Sequence, residues 1–298
     1  MTFTSDIKKE LTLLPPTTGA LLALIRLRGS LGLSGGLTLS ITTENAATAQ
    51  YIYKSLEELY AIRAEIRVAQ KDNLAKNRSY SVFIEEEAEN LLDELSLADS
   101  LMLEHGVPKL ILNGEPHMQQ DYLRGTFLAA GSLANPEKAY QLELASTYDE
   151  HAEGLQALVA QFNLHAHLSN HKNRSLLYLT RAEEISDFLT LIGAMQARLR
   201  FEDIKMLREM RGLANRQSNF ETANITKTVQ ASQDVISAID TLMAKNQLPE
   251  SLTDIALARL AHPDASLQEL GQLVTPPLSK SSVARRLHKL ENLAHPKS

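Results

Sequence analysis

The sequence predicts an α+β protein in which one αββαββα unit is written twice and an all-α domain follows. Three observations predict it. Short runs recur about 100 residues apart: Arg28-Gly29-Ser30-Leu31 is echoed by Ala130-Gly131-Ser132-Leu133, Leu37-Thr38-Leu39-Ser40-Ile41 by Tyr140-Gln141-Leu142-Glu143-Leu144, and Lys76-Asn77-Arg78-Ser79-Tyr80 by Lys172-Asn173-Arg174-Ser175-Leu176. The offset is 102 at the glycines (131 minus 29) and 96 at the lysines (172 minus 76), far too long for a solenoid repeat and suited to two similar half-domains. Charge then changes sign along the chain: 16 basic and 25 acidic residues lie up to Ala197, 14 basic and 11 acidic beyond it. Finally, the last 48 residues carry three short helical patterns separated by helix breakers.

Within each copy the elements follow one order. An apolar helix, Leu21 to Leu27 or Tyr122 to Ala129, is closed by Gly29 or Gly131. A hairpin follows whose second strand alternates apolar and polar residues. A helix comes next, around Ala46 to Tyr60 and Glu150 to Phe162, the second opened by Thr147 and Glu150 at capping-box spacing. A second strand pair spans about Ala64 to Ala69 with Ser79 to Ile84, and His165 to Ser169 with Leu176 to Leu179. The last helix is Ala88 to Leu95 in copy one and Glu183 to Ala197 in copy two, the latter capped by Thr180 and Glu183.

Composition narrows the function. At 298 residues, 44% hydrophobic, the chain can build two cores, and no run approaches the 18–20 apolar residues, roughly, of a membrane span. The first ten residues lack the basic-then-apolar order of a signal peptide, so a cytoplasmic protein is expected. With no cysteine, disulfides and thiolate chemistry are excluded. His165, His167 and His171 lie close together, but no acidic cluster is tied to them by spacing, and a surface strand is the expected reading. Glu85-Glu86-Glu87-Ala88-Glu89 reads as a solvated helix start favoured by the helix dipole. No phosphate loop, dinucleotide fingerprint or nucleophile elbow is present.

Tyr122-Leu123-Arg124-Gly125-Thr126-Phe127-Leu128-Ala129-Ala130-Gly131-Ser132 resembles the signature helix of LAGLIDADG homing endonucleases, and Leu21 to Ser30 occupies the matching place in copy one. The resemblance implies two helices packed at a pseudo-twofold axis, which needs small residues. Gly125 and Ala129 supply them in copy two; in copy one Ala23 fits and Leu27 is bulky. It also implies a divalent metal held by an acidic residue just before each closing glycine. Those positions are Arg28 and Ala130. A guanidinium repels a divalent cation and a methyl group cannot ligate one, so no hard-metal catalysis is expected. What is left is a saddle for DNA or for protein.

From Arg198 the chain turns basic: Arg198, Arg200, Lys205, Arg208, Arg211 and Arg216 could belong to a solvated connector or touch phosphates. Arg216 to Asn224 is polar and helix-poor, a predicted hinge, and a helix over about Ile225 to Lys245 follows. Ser251 and Asp254 open a helix Ile255 to Ala261; Ser266 and Glu269 open Leu267 to Val274; Thr275-Pro276-Pro277 must break it; Ser279 caps a third helix, Lys280 to about Ala294. On that last helix Val283, Leu287, Leu290 and Ala294 form one apolar stripe. Ser281, Ser282, Arg285, His288 and Lys289 fall opposite it, with Arg286 flanking. That pattern is what a helix-turn-helix needs, its second helix entering the major groove. The predicted DNA-binding residues are Ser279, Lys280, Ser281, Ser282, Arg285, Arg286, His288 and Lys289. Arg285 is expected at a base edge, and Lys280, Arg286 and Lys289 at phosphates.

Taken with Glu44-Asn45-Ala46-Ala47, Asn135-Pro136-Glu137-Lys138, Glu221-Thr222-Ala223-Asn224 and His262-Pro263-Asp264-Ala265-Ser266-Leu267, these runs make the chain resemble, over nearly its whole length, the WhiA family of bacterial sporulation and cell-division regulators. The resemblance implies a degenerate LAGLIDADG-like domain over residues 1–200 (repeats about 15–100 and 118–200), a linker at 201–224, and a helical DNA-binding domain at 225–298 with its helix-turn-helix at about 266–294. It implies a non-catalytic transcription regulator acting in cell division and chromosome segregation. Such a regulator would be nucleoid-associated and need no cofactor; its partners would be double-stranded DNA, with other transcription regulators or RNA polymerase as further candidates, and no membrane. One departure is Pro15-Pro16, where a cysteine pair is expected in many relatives, so any redox or metal role of that pair is in doubt here. A protein–protein adaptor with secondary DNA binding, and an active metal-dependent endonuclease, are the competing readings.

Overall fold

The computed structural model describes residues 2–33, 36–70, 78–97, 105–171 and 174–295; Lys76, Asn77, Lys172 and Asn173 of the echoed runs lie outside them, as does the side chain of His171. The chain divides into two units, Met1–Glu209 and Met210–Ser298.

The first unit begins with a helix that the sequence reading did not anticipate, α1 (Phe3–Leu11), opened by a capping box of Thr2 and Ser5. Copy one then runs α2 (Thr18–Arg28), β1 (Gly29–Leu33), β2 (Leu37–Thr43), α3 (Ala46–Tyr60), β3 (Glu65–Gln70), β4 (Arg78–Ile84) and α4 (Ala88–Glu94). A short α5 (Lys109–Leu112) precedes copy two: α6 (Pro116–Ala130), β5 (Gly131–Leu133), β6 (Leu142–Ser146), α7 (Asp149–Ala160), β7 (His167–His171), β8 (Arg174–Leu179) and α8 (Ala182–Leu191).

The duplication is visible residue by residue in the sheets, ordered β1-β2-β4-β3 and β5-β6-β8-β7, all antiparallel. Gly29 pairs with Ile41, Ile41 with Val82, and Val82 with Ile66. In the second copy Gly131 pairs with Leu144, Leu144 with Leu177, and Leu177 with Leu168. The register sets an offset of 95 at the last strand (177 minus 82), one less than the Lys-Asn-Arg echo suggests. Because side chains alternate across a strand, Leu39, Ile41, Val82 and Ile84, and likewise Leu142, Leu144, Leu177 and Leu179, all point into one core.

That core is organised by α2 packed on α6. Residues Gly19 to Ile25 of α2 are all buried. A Cβ placed on Gly125 would lie 2.2 Å from the Ala20 carbonyl oxygen, and one on Gly19 would lie 2.8 Å from the Met118 carbonyl oxygen. Backbone therefore meets backbone at the crossing. Gly125 is the residue the sequence nominates, and its counterpart is Gly19-Ala20, a turn before the nominated Ala23.

Several predicted caps differ. The helix α7 starts at Asp149 with Tyr148 as its N-cap and no side-chain cap, so the Thr147–Glu150 box does not form. At α8, Glu183 is held 3.0 Å from Lys205 Nζ and does not fold back on Thr180. The helix expected from Glu183 to Ala197 is broken at Gly193, whose φ of +86° lets the Ala194 N–H reach the Leu189 carbonyl. A new helix, α9, runs from Met195 to Ala244, its first N–H groups (Gln196, Ala197) capped 2.6 and 2.9 Å away by the Glu10 carboxylate of α1. The hinge expected at Arg216–Asn224 lies inside this helix; the segment contains no proline, and its single polar side chains do not interrupt the backbone ladder.

In the second unit the helices α10 (Thr253–Ala261), α11 (Leu267–Leu273) and α12 (Lys280–Ala294) bury Ile255, Leu270, Val274, Val283, Leu287 and Leu290 against Val235, Ile239 and Leu242 of α9. A 3₁₀ turn, Glu250–Leu252, leads into α10, so the Ser251–Asp254 box does not form. Ser266 and Glu269 do make a reciprocal box, and Ser279 Oγ accepts from the Ser282 N–H.

An alanine at position 125 tests the crossing. Overpacking costs about 1–3 kcal/mol, partly offset by about 1 kcal/mol of helix propensity. A contact with backbone puts Gly125→Ala at the upper end, a net loss of about 2 kcal/mol, and circular dichroism should show the unfolding midpoint of the first unit falling by roughly 4–8 °C.

Candidate nucleic-acid interface

The turn between α11 and α12 is fixed by a close approach: the Leu278 N–H donates to the Gly271 carbonyl at 2.8 Å, and a Cβ on Gly271 would lie 2.2 Å from the Leu278 carbonyl oxygen. With the turn held and Val283, Leu287 and Leu290 buried, the opposite side of α12 faces solvent. Ser279, Lys280, Ser281, Arg285, His288 and Lys289 are exposed, and Ser282 and Arg286 are half-buried. His288 Nδ1 lies 3.1 Å from Glu291 Oε2. Among the described residues Lys280, Arg285, Arg286 and Lys289 form no ion pair. The structure thus collects all eight predicted residues on the outer side and the N-terminal end of one helix, with four cations uncompensated.

The remaining basic run behaves differently. Arg198 Nε donates to Ser186 Oγ, Arg200 pairs with Asp6 at 3.2 Å, Lys205 with Glu183 at 3.0 Å, and Arg208 donates to the Pro136 carbonyl while its guanidinium sits 4.2 Å from the Tyr140 ring centroid. These four hold the start of α9 to the first unit. Arg211 and Arg216 are exposed. The histidines of copy two are likewise engaged: His165 Nδ1 lies 3.0 Å from Glu184 Oε1, and the His167 ring lies 5.5 Å from that of Tyr178. Among the described residues no group of three or more His, Cys, Asp or Glu is placed to hold a metal ion.

At the C-terminal ends of α2 and α6, Arg28 and Ala130 occupy the positions expected, each followed by its glycine cap. Arg28 Nε and Nη2 both donate to the Ala129 carbonyl oxygen, at 2.9 and 2.6 Å. The guanidinium therefore satisfies an otherwise orphaned last-turn carbonyl of the partner helix, where the helix dipole is negative. Lys8 on α1 adds a second positive charge nearby: burial first, then the Arg28 guanidinium, lowers its pKa to about 8, against an opposing pull from Glu44. A divalent cation needs oxygen ligands. The side chains at the two positions are a guanidinium and a methyl group, with an ammonium beside them; the residues present do not fit a catalytic metal.

Comparison with known proteins agrees with this architecture. Family models described as the WhiA N-terminal LAGLIDADG-like domain, the WhiA LAGLIDADG-like domain and the WhiA C-terminal HTH domain match residues 18–98, 119–211 and 214–294. A probable cell division protein WhiA of Lactococcus lactis subsp. cremoris is 62% identical over 294 residues, covering 97% of this chain and 96% of that protein. One from Streptococcus suis is 47% identical over 301 residues, covering 99% and 98%. The crystal structure of full-length DUF199/WhiA from Thermatoga maritima is 25% identical, with a TM-score of 0.58 over 100% of this chain and 99% of that one.

The Lys8–Arg28 pair has a pH consequence. A lysine whose folded pKa is about 8, against 10.5 when unperturbed, binds fewer protons folded than unfolded between those values. Its cost is therefore relieved as pH rises through 8, and stability gains with pH. In Lys8→Met the stability of the first unit, followed by urea denaturation from pH 7.5 to 9.5, should rise less steeply with pH than in the wild type; a Lys8 ammonium that titrates above 10 by NMR would contradict this.

Proposed function

The chain belongs to the WhiA family, and from that premise we propose that it is a non-catalytic, sequence-specific DNA-binding transcription regulator acting in cell division and chromosome segregation. The observation that carries the reading is the outer face of α12: exposed hydroxyls at its N-terminal end, then cations without ion-pair partners among the described residues, on a helix whose other face is locked in a core. A helix about 10–12 Å across with its side chains fits a major groove about 12 Å wide. In this reading Arg285 meets a base edge, and Lys280, Arg286 and Lys289 neutralise phosphates; Ser279, Ser281, Ser282 and His288 complete the contact.

The absence of catalysis rests on charge. At the ends of α2 and α6 an arginine already fills the electrostatic need that a metal would meet, and neither Arg28 nor Ala130 has a side chain that would hold a cation against the attacking and leaving oxygens of a phosphodiester. The cell-division role rests on the relatives, which carry that designation. Double-stranded DNA is the principal partner, with other transcription regulators or RNA polymerase as secondary ones, and the protein would work in the cytoplasm on the nucleoid. No helix among the described residues is long and apolar enough to cross a membrane.

A genome-wide footprint of the full-length protein identifies its sites, and titrations of one labelled site against a scrambled duplex test the assignments. Arg285→Ala should weaken the site by about 5- to 150-fold (roughly 1–3 kcal/mol) and the scrambled duplex far less. Arg286→Ala and Lys289→Ala should weaken both alike and each lower the slope of log affinity against log salt by about 0.9. If all three bound both duplexes as the wild type does, α12 would not be the reading helix.

A further inference from the structure

The second unit contains a cavity of about 470 Å³ between α9 and the loop joining α10 to α11. Its walls are Ile225, Val229 and Ile236 on one side and Pro263, Ala265 and Arg259 on the other. This size lies in the range of small-molecule sites, which are mostly apolar with one or two polar groups that fix orientation.

Arg259 is the unusual member. It is 5% exposed, and no carboxylate among the described residues lies within ion-pairing distance of it. Its Nη1 donates to the carbonyls of Pro263 at 3.1 Å and Ala265 at 2.8 Å. Nε is buried without a partner, and Nη2 has none among the described residues. Nε–H and the adjacent Nη2–H are the two parallel donors with which an arginine grips a carboxylate side-on. A buried guanidinium stays charged, and leaving such a charge without a counter-ion is costly. Asp264, which also lines the cavity, is exposed and makes no ion pair with it.

We propose that this cavity binds a small amphiphilic carboxylate, its anionic head drawn to the Arg259 side chain in the cavity wall and its apolar body lying along Ile225, Val229 and Ile236. The head group supplies the missing counter-charge. The body covers side chains that are otherwise open to water, Ile225 at 65% and Val229 at 44% exposed. The site stands independently of the DNA-reading role and is measured without DNA. The loop that forms its wall also leads into α11 and is tied to α9 by Ser232 Oγ donating to the Pro263 carbonyl at 2.6 Å.

The test uses the full-length protein with 8-anilinonaphthalene-1-sulfonate as a fluorescent probe and octanoate and octan-1-ol as competitors. Saturable probe binding at one site per chain is expected, displaced by octanoate at least tenfold more effectively than by octan-1-ol. Arg259→Met should abolish that preference. Because Arg259 also holds two loop carbonyls, a second variant keeps the test sound: Val229→Trp fills the cavity from the exposed side of α9 and leaves Arg259 in place. It should weaken probe and octanoate binding at least tenfold with an unchanged unfolding midpoint. No saturable binding, equal displacement by the alcohol, or full binding in a folded Val229→Trp protein would each overturn the proposal.

Discussion

The first unit depends on one contact that admits no side chain: the backbone of Gly125 against that of Ala20, repeated in the other direction by Gly19 against Met118. The two helices also end near one another, Arg28 of one reaching the Ala129 carbonyl of the other, and each leads through its glycine into the first strand of its own sheet. The identical pairing registers of the two sheets follow, because each strand order is built outward from an equivalent starting glycine. Close approach also concentrates the negative ends of two helix dipoles in one place. Positive charge is needed there whatever the chemistry. In this chain Arg28 supplies it by spanning to the Ala129 carbonyl.

The second unit solves a smaller problem with the same device. Seven residues of α11 bury little surface by themselves, and α12 is oriented by the Gly271–Leu278 approach and by the apolar stripe Val283, Leu287 and Leu290. Once those three are buried, helical geometry alone decides what faces water. Lys280, Arg285 and Lys289 are exposed as a consequence of where Val283, Leu287 and Leu290 are, and their freedom from carboxylates among the described residues is a second, independent property.

What was legible in the sequence was whatever repeats or alternates. The duplicated order, the α3 boundaries, the Ser266 and Ser279 caps and the two sides of α12 rest on local spacing, and local spacing survives folding. The hidden parts depend on partners distant in sequence. Glu10 caps α9 from 186 residues away, which no local pattern records. Thr180 has box spacing but loses its partner to a tertiary contact, since Glu183 pairs with Lys205, and at Thr147 the N-cap falls one residue later, on Tyr148. The Arg216–Asn224 segment looked like a hinge because it is polar, yet polarity without glycine or proline does not stop a helix whose neighbours already propagate it. Gly19 was missed because glycine near a helix start reads as punctuation; only the partner helix reveals that it is a contact.

The basic run after Arg198 shows why net charge is a poor guide to where a polyanion binds. Counted along the sequence, Arg198, Arg200, Lys205 and Arg208 look like the beginning of a phosphate-binding surface. In the fold each is engaged by the first unit, two of them in ion pairs with Asp6 and Glu183. A cation already paired must give up that partner to meet a phosphate, so it contributes little to the counterion release that drives association with DNA. Among the described residues Lys280, Arg285, Arg286 and Lys289 have no such partner to lose. The distinction that matters is between compensated and uncompensated charge, and four of the uncompensated cations share one helix of fifteen residues.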